Sequence, residues 1–294
     1  MKISILTICP EMFGDFSRSH AVARAARQGI ADLEIVDMRG FAPGSFRQID
    51  DSPFGGGRGM VLRCRPVLEA LKAVRGTPGS AEAQTGDSSA GTETEVPGAE
   101  APSCRCRTVV LAPAGTPYTQ EKAHEYAGLD HLILICGHYE GFDARILSHT
   151  DEMISVGDYV LTGGELPAMI IADSVLRLLP GILKSGSAEE ESFENGLLEY
   201  PQYTQPADYE GMKVPEVLLS GDHARIRRWR LKESIRLTYR NRPDLLKKRG
   251  MNEEEQMLFC EVLEEEQETL SEEEPKTLPE EEPGSLPEEE QETH

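Results

Sequence analysis

Three glycine-bearing loops carry the residues of this chain best suited to holding a small ligand. The longest is Ser155-Val-Gly-Asp-Tyr-Val-Leu-Thr-Gly-Gly-Glu-Leu-Pro167. Its glycines at 157, 163 and 164 remove Cβ atoms, so backbone N–H and C=O groups can approach a flat ligand closely. Leu111-Ala-Pro-Ala-Gly115 and Cys136-Gly-His-Tyr-Glu-Gly141 each follow a strand-like run as well. Open parallel sheets bind ligands outside the carboxyl ends of their strands. One such loop would be ordinary turn chemistry, whereas three in succession favour a site. His138 and His149 could act as ligands or bases, or simply as hydrogen-bonded surface residues. Gly55-Gly-Gly-Arg-Gly59 is either an anion-binding nest or a plain turn. It fails the dinucleotide fingerprint, because Met60 stands where the last glycine belongs. Gly181-Ile-Leu-Lys-Ser-Gly186-Ser187 fails the phosphate-loop fingerprint for want of a lysine after the second glycine. Cys104 and Cys106 have no second pair at zinc spacing, so no residue is assigned to a metal.

The elements around these loops alternate. Strands are expected at 2–8, 33–37, 108–111, 132–135 and 153–156, and helices at 11–28, 65–74, 119–127, 141–148 and 166–179. Such alternation implies an α/β domain with a largely parallel sheet, expected over 1–185. Residues 76–104 are Gly, Ser, Ala, Thr, Glu and Pro with almost nothing apolar, and read as a disordered insertion. An aperiodic linker is expected at 186–206 and a helical domain at 207–262. The octapeptide repeat over 263–294 reads as a disordered acidic tail.

The net charge of −22 is unevenly spread. Residues 253–294 carry 18 acids and one lysine, whereas 223–249 hold 11 Lys and Arg against two acids. A basic helix with Trp229 and Tyr239 interleaved among Arg225, Arg227, Arg228, Arg230, Lys232 and Arg236 suits a polyanion better than a merely solvated face. No apolar run reaches the roughly 18 residues of a membrane span. The N-terminus has no cleavable-signal pattern. The expectation is a cytoplasmic protein without a membrane.

Several segments together resemble a known family. They are Ile8-Cys-Pro-Glu-Met-Phe13, Pro53-Phe-Gly-Gly-Gly-Arg-Gly-Met60, Cys136-Gly-His-Tyr-Glu-Gly141 and Val156-Gly-Asp-Tyr-Val-Leu-Thr-Gly-Gly-Glu-Leu-Pro-Ala168. Ser187-Ala-Glu-Glu-Glu-Ser-Phe193, Val217-Leu-Leu-Ser-Gly-Asp-His223 and Trp229-Arg-Leu-Lys232 continue the series. In this order they resemble the bacterial tRNA (guanine-N1)-methyltransferases over about 1–75 and 107–255.

The resemblance implies a SPOUT-type parallel sheet with a C-terminal trefoil knot, plus a small helical C-terminal domain that binds tRNA. It also implies a homodimer, S-adenosylmethionine as methyl donor and guanosine-37 of tRNA as acceptor. The cofactor pocket would take Pro113 from one loop and Gly137, Glu140 and Gly141 from the next. The third loop would supply Val156, Gly157, Asp158, Tyr159, Val160 and Leu161, followed by Gly163, Gly164 and Pro167. Arg177 corresponds to an arginine at the reacting base. The family's general base is an aspartate, and here that position is Glu191. Such residues suit the reaction, since N1 of guanine must lose a proton to a carboxylate and charge then builds on O6 near a guanidinium. The extra methylene of Glu191 is either absorbed by a backbone shift or slows the reaction. An assisting Mg2+ is compatible with the chemistry, with no residue to assign to it. The alternatives are a catalytically weakened RNA-binding homologue and a nucleotide-phosphate binder using the 55–59 loop.

Overall fold

The structure is a computed structural model that describes residues 1–76, 104–183 and 191–273, with side chains described to 268. Most of the expected insertion, the end of the repeat tail and Ser187 to Glu190 lie outside the described residues. The chain divides into two units, Met1–Ala188 and Glu189–His294.

The first unit is built on five parallel strands. They are β1 (Lys2–Thr7), β2 (Asp32–Asp37), β5 (Cys106–Pro117), β6 (His131–Cys136) and β7 (Glu152–Ser155), in the order β2-β1-β6-β5-β7. Two-residue strands β3 (Asp50–Asp51) and β4 (Val61–Leu62) form a separate antiparallel pair. The near-continuous apolar runs of β1, β5 and β6 follow from burial on both faces. Alternate residues divide between two cores. Ile3, Ile5, Leu132, Leu134 and Val109 face one layer, and Leu6, Ile133, Ile135 and Val110 face the other. Helices α2 (His20–Arg27), α4 (Gln120–Ala127) and α5 (Glu165–Leu178) cover the first layer through Val22, Ala25, Tyr126, Ile171 and Val175. Helix α3 (Cys64–Arg75) covers the second through Val67, Ala70 and Leu71.

Three local expectations change. The helix expected at 11–28 breaks into a 3-10 turn at Pro10–Phe13, a short α1 (Gly14–Ser17) and α2, because Ser19 adopts an extended N-cap conformation. The helix expected at 141–148 is the 3-10 segment Ala144–His149, capped by Asp143 through the Arg145 N–H. The Leu111 to Gly115 segment is a bulge rather than a loop after the strand. β5 resumes pairing with β7 at Thr116 after its register breaks at Leu111.

The second unit holds a hairpin of β8 (Asp208–Tyr209) and β9 (Met212–Lys213), then α6 (Glu216–Leu219), α7 (His223–Asn241), α8 (Pro243–Arg249) and α9 (Glu253–Glu273). Its small core is Leu197, Ile235, Leu246 and Leu258. Leu197 falls in the expected linker yet is 1% exposed. Its neighbours anchor that aperiodic stretch by hydrogen bonds, from the Leu198 N–H to Thr238 Oγ1 at 2.9 Å and from the Glu199 N–H to Ser192 Oγ at 2.9 Å. Helix α9 runs past residue 262 into the expected tail, held there by ion pairs to α7 described below.

No helix among the described residues is long and apolar enough to cross a membrane.

Candidate active site

The carboxyl ends of β5, β6 and β7 gather the glycine loops around one cavity of about 230 Å³. Pro113 contributes from the β5 bulge, and Gly137, Glu140 and Gly141 from the loop after β6. Val156, Gly157, Tyr159, Val160 and Leu161 come from the loop after β7, and Gly163, Gly164 and Pro167 from the entry to α5. Asp158 alone of the residues expected here is not in the wall. The Tyr159 N–H turns back to the Gly157 carbonyl at 2.9 Å, and this tight turn leaves Asp158 exposed. His138 also lines the cavity, whereas His149 is exposed at the end of its 3-10 segment.

Main-chain contacts fix the wall. The Gly164 N–H donates to the Gly137 carbonyl at 2.8 Å, and the Tyr118 N–H to that of Ser155 at 2.8 Å. A Cβ at Gly164 would lie 2.7 Å from Cys136 Cα, and one at Gly115 would run into the Ile154 backbone. The 55–59 loop also reaches the site. The Glu140 N–H donates to the Met60 carbonyl at 3.0 Å, the Leu62 N–H to that of Gly141 at 3.0 Å, and Gly59 packs against the Glu140 side chain. Tyr139 sits between these contacts at φ 59, a left-handed conformation that its surroundings must hold.

Sequence reasoning missed the buried floor. Glu165, 2% exposed, accepts a hydrogen bond at Oε1 from Thr7 Oγ1 at 2.7 Å. Cys9 lies beside it, its thiol pushed up by burial and then by the Glu165 charge. The available signal was a carboxylate at the first turn of an otherwise apolar helix, which normally reads as a helix-dipole partner.

Arg177 lies in the last turn of α5, half-buried and outside the cavity wall. It continues a stripe of Leu166, Ile170 and Asp173, all exposed. Glu191 is half-buried in the second unit, in a turn where the Glu194 N–H donates to its carbonyl at 3.3 Å. Phe193, two residues on, adopts φ 76, with its ring 5.9 Å from the Arg242 guanidinium.

The basic helix is partly engaged. On α7, Arg228, Lys232, Arg236 and Arg240 pair with Glu261, Glu265 and Glu266 of α9. Arg230 stacks on Tyr200 at 4.7 Å, and Tyr239 meets Phe259 edge-on at 5.2 Å. Arg225 and Arg227 remain exposed toward the start of the helix.

Sheet and cavity together define a parallel α/β protein with a ligand-sized cavity at its strand ends, carried on a chain whose second unit bears a basic helix. The family described as tRNA (Guanine-1)-methyltransferase TrmD matches residues 1–248. Relatives named tRNA (guanine-N(1)-)-methyltransferase include one from Heliobacterium modesticaldum, 48% identical over 267 residues, covering 90% of this chain and 92% of the relative. One from Bacillus subtilis (strain 168) is 47% identical over 264 residues, covering 89% and 98%. The chain belongs to the tRNA (guanine-1)-methyltransferase family.

Proposed function

We propose that this protein transfers the methyl group of S-adenosylmethionine to N1 of guanosine-37 in tRNA. The observation that carries the reading is the convergence of the three loops on one cavity with the family's motif residues in its wall. The wall suits the donor. Val156, Leu161 and Pro167 offer apolar contact, and glycines 137, 163 and 164 let the main chain approach an adenosine closely. Bound there, S-adenosylmethionine supplies an electrophilic methyl on a sulfonium that is already a good leaving group.

The chain's own residues then have two tasks. Glu191 takes the N1 proton of guanine, and Arg177 stabilises the charge that develops on O6. Arg177 shares its α5 stripe with exposed Leu166 and Ile170, which supports a site shared between two copies of the chain. A SPOUT-type trefoil knot at the carboxyl end of the first unit is part of the same reading. The second unit serves as the helical tRNA-binding domain through exposed Arg225 and Arg227, in the compartment where tRNA is processed.

Glutamate at 191 favours a second reading, an RNA-binding homologue with weakened catalysis. The test of both is transfer of a labelled methyl group to a transcript with guanosine at 36 and 37. Incorporation that vanishes when guanosine-37 alone is replaced supports the enzyme. Donor and tRNA binding without incorporation selects the weakened homologue, and equal incorporation into both transcripts overturns the proposed specificity.

A further inference from the structure

Beneath the cavity, three side chains from separate segments converge. They are Cys9 just after β1, His138 in the loop after β6 and Glu165 at the start of α5. The Cys9 Sγ, one ring nitrogen of His138 and a Glu165 carboxylate oxygen all lie within 4.8 Å of one another. We propose that this trio is a binding site for a zinc-class divalent cation, held by a thiolate, an imidazole and a carboxylate.

An unpartnered buried donor points to a cation. His138 Nδ1 is buried and makes no hydrogen bond. Its nearest charged neighbour, Glu165 Oε2, stands 3.8 Å away, beyond hydrogen-bond reach. A buried ring nitrogen left so is costly, and coordination satisfies it. Gly163 bounds the pair on one side. A methyl carbon added at Gly163 would fall 2.6 Å from His138 Nδ1 and closer still to Glu165 Oε2. Gly163 is therefore packed closely against both donors, its Cα about 1.5 Å from that point, so a cation sits on the Cys9 side of them, at the ~2.0–2.2 Å at which zinc lies from nitrogen and oxygen. Thr7 already fixes the other carboxylate oxygen, leaving Oε2 to turn inward.

The donor set selects the metal. A sulfur, a nitrogen and one oxygen suit Zn2+ or Co2+, whereas Mg2+ demands oxygen ligands. Tetrahedral geometry needs donors about 3.5 Å apart, so the side chains must close by roughly an ångström on binding. Cys9 then loses its proton to solvent and binds as thiolate. With three protein ligands the fourth position stays open, beside a cavity whose wall includes His138 and Gly163. Occupancy would tie the end of β1, the loop after β6 and α5 together at that point.

The experiment is a Co2+ titration of the full, reduced, chelator-treated protein, followed by absorbance and then by displacement with Zn2+. The expected result is a tetrahedral visible spectrum with a thiolate-to-cobalt charge-transfer band, saturating at one equivalent, and a melting temperature raised by either metal. Cys9→Ser should remove the band and weaken binding at least about tenfold, a change of ~1.4 kcal/mol. Cys260→Ser, at an exposed site in the other unit, should change nothing. Should Cys9→Ser not fold, Cys9→Ala and His138→Gln give the same comparison, each verified by melting before titration. A spectrum that persists without Cys9, or no saturable binding to wild type, overturns the site. Neither readout depends on methyl transfer.

Discussion

The Gly164 N–H donates to the Gly137 carbonyl oxygen at 2.8 Å, joining the entry of α5 to the loop after β6. This contact holds two walls of the cavity at main-chain distance. It exists because neither residue carries a Cβ. A methyl group at 164 would lie 2.7 Å from Cys136 Cα and 2.8 Å from the Gly137 nitrogen. Both are backbone atoms of a central strand or its immediate exit, and neither can swing aside.

Gly164→Ala should therefore push the walls apart. Overpacking of this kind costs about 1–3 kcal/mol, which a lowered melting temperature would report. Donor affinity should fall roughly tenfold or more, measured by calorimetric titration. Gly141→Ala is the contrast. Gly141 has φ 133 with nothing within 4 Å of a Cβ, so its substitution adds only backbone strain of about 1–3 kcal/mol. Equal donor binding by both variants would mean that the 137–164 contact does not shape the pocket.

Glu191→Gln keeps the size of the side chain and removes the proposed base. Methyl transfer under single-turnover conditions should drop about 10²–10⁴-fold, while donor affinity stays unchanged. Glu191→Asp should hold or raise the rate, since it restores the aspartate that the resemblance implies at this position. A glutamine variant as fast as wild type would remove Glu191 from the chemistry.

The strands and most helices were legible because their apolar runs are buried on both faces or at helical spacing. Leu132 and Ile133 declare β6 whichever layer each faces. The wall of the cavity was legible through glycines, whose demand for close backbone approach is written in the residue type. Asp158 shows the limit. It sits amid wall residues, yet a single turn between Gly157 and Tyr159 sends it outward, and no residue type announces that turn. The Cys9, His138 and Glu165 trio was illegible for a different reason. Cys9 stands more than a hundred residues before His138 and Glu165, and only the parallel crossovers bring it to them. The α7 ion pairs were hidden likewise, since counting charges along a chain does not say which helix will face which.

The second unit should be acid-sensitive at a particular pair. Glu255, 4% exposed, accepts from both terminal nitrogens of Arg249 at 2.7 and 3.0 Å and from the Asn252 N–H at 2.9 Å. The Arg249 hydrogen bonds, against burial, hold its carboxyl below the usual glutamate value of 4.5. A depressed folded-state value stabilises the fold above the unfolded one, and the gain is lost as pH falls through the folded value. Glu255→Gln should cost about 2 kcal/mol at neutral pH, less than a fully buried pair because the Arg249 side chain is a quarter exposed. In urea melts, the gap between variant and wild type should shrink as pH drops below the glutamate range. A gap constant from neutral pH to acid would assign the loss to packing instead.

The acidic face of α9 should compete with RNA for α7. Lys232 contacts Glu261 at 3.0 Å and Glu265 at 2.7 Å, and Arg240 contacts Glu266 at 2.7 Å. Burial alone would lower the Lys232 pKa, yet Glu265 and Glu261 raise it, so the lysine stays charged and committed to α9. Neutralising the three acids together, as Glu261→Gln, Glu265→Gln and Glu266→Gln, frees these cations at a cost above the ~0.2–1 kcal/mol of an exposed pair, because the Lys232 and Arg236 side chains are only 15% and 14% exposed. Freed cations can meet phosphates, and each new phosphate contact steepens the logarithmic salt dependence of binding by roughly 0.7–0.9. The triple variant should bind tRNA more tightly at low salt, with a slope steeper by about 2. Arg225→Gln with Arg227→Gln should do the reverse, because those two are exposed already. Filter binding across a salt series separates the outcomes. An unchanged slope in the triple variant would mean that α7 turns another face to the RNA, and that its bonds to α9 only build the unit.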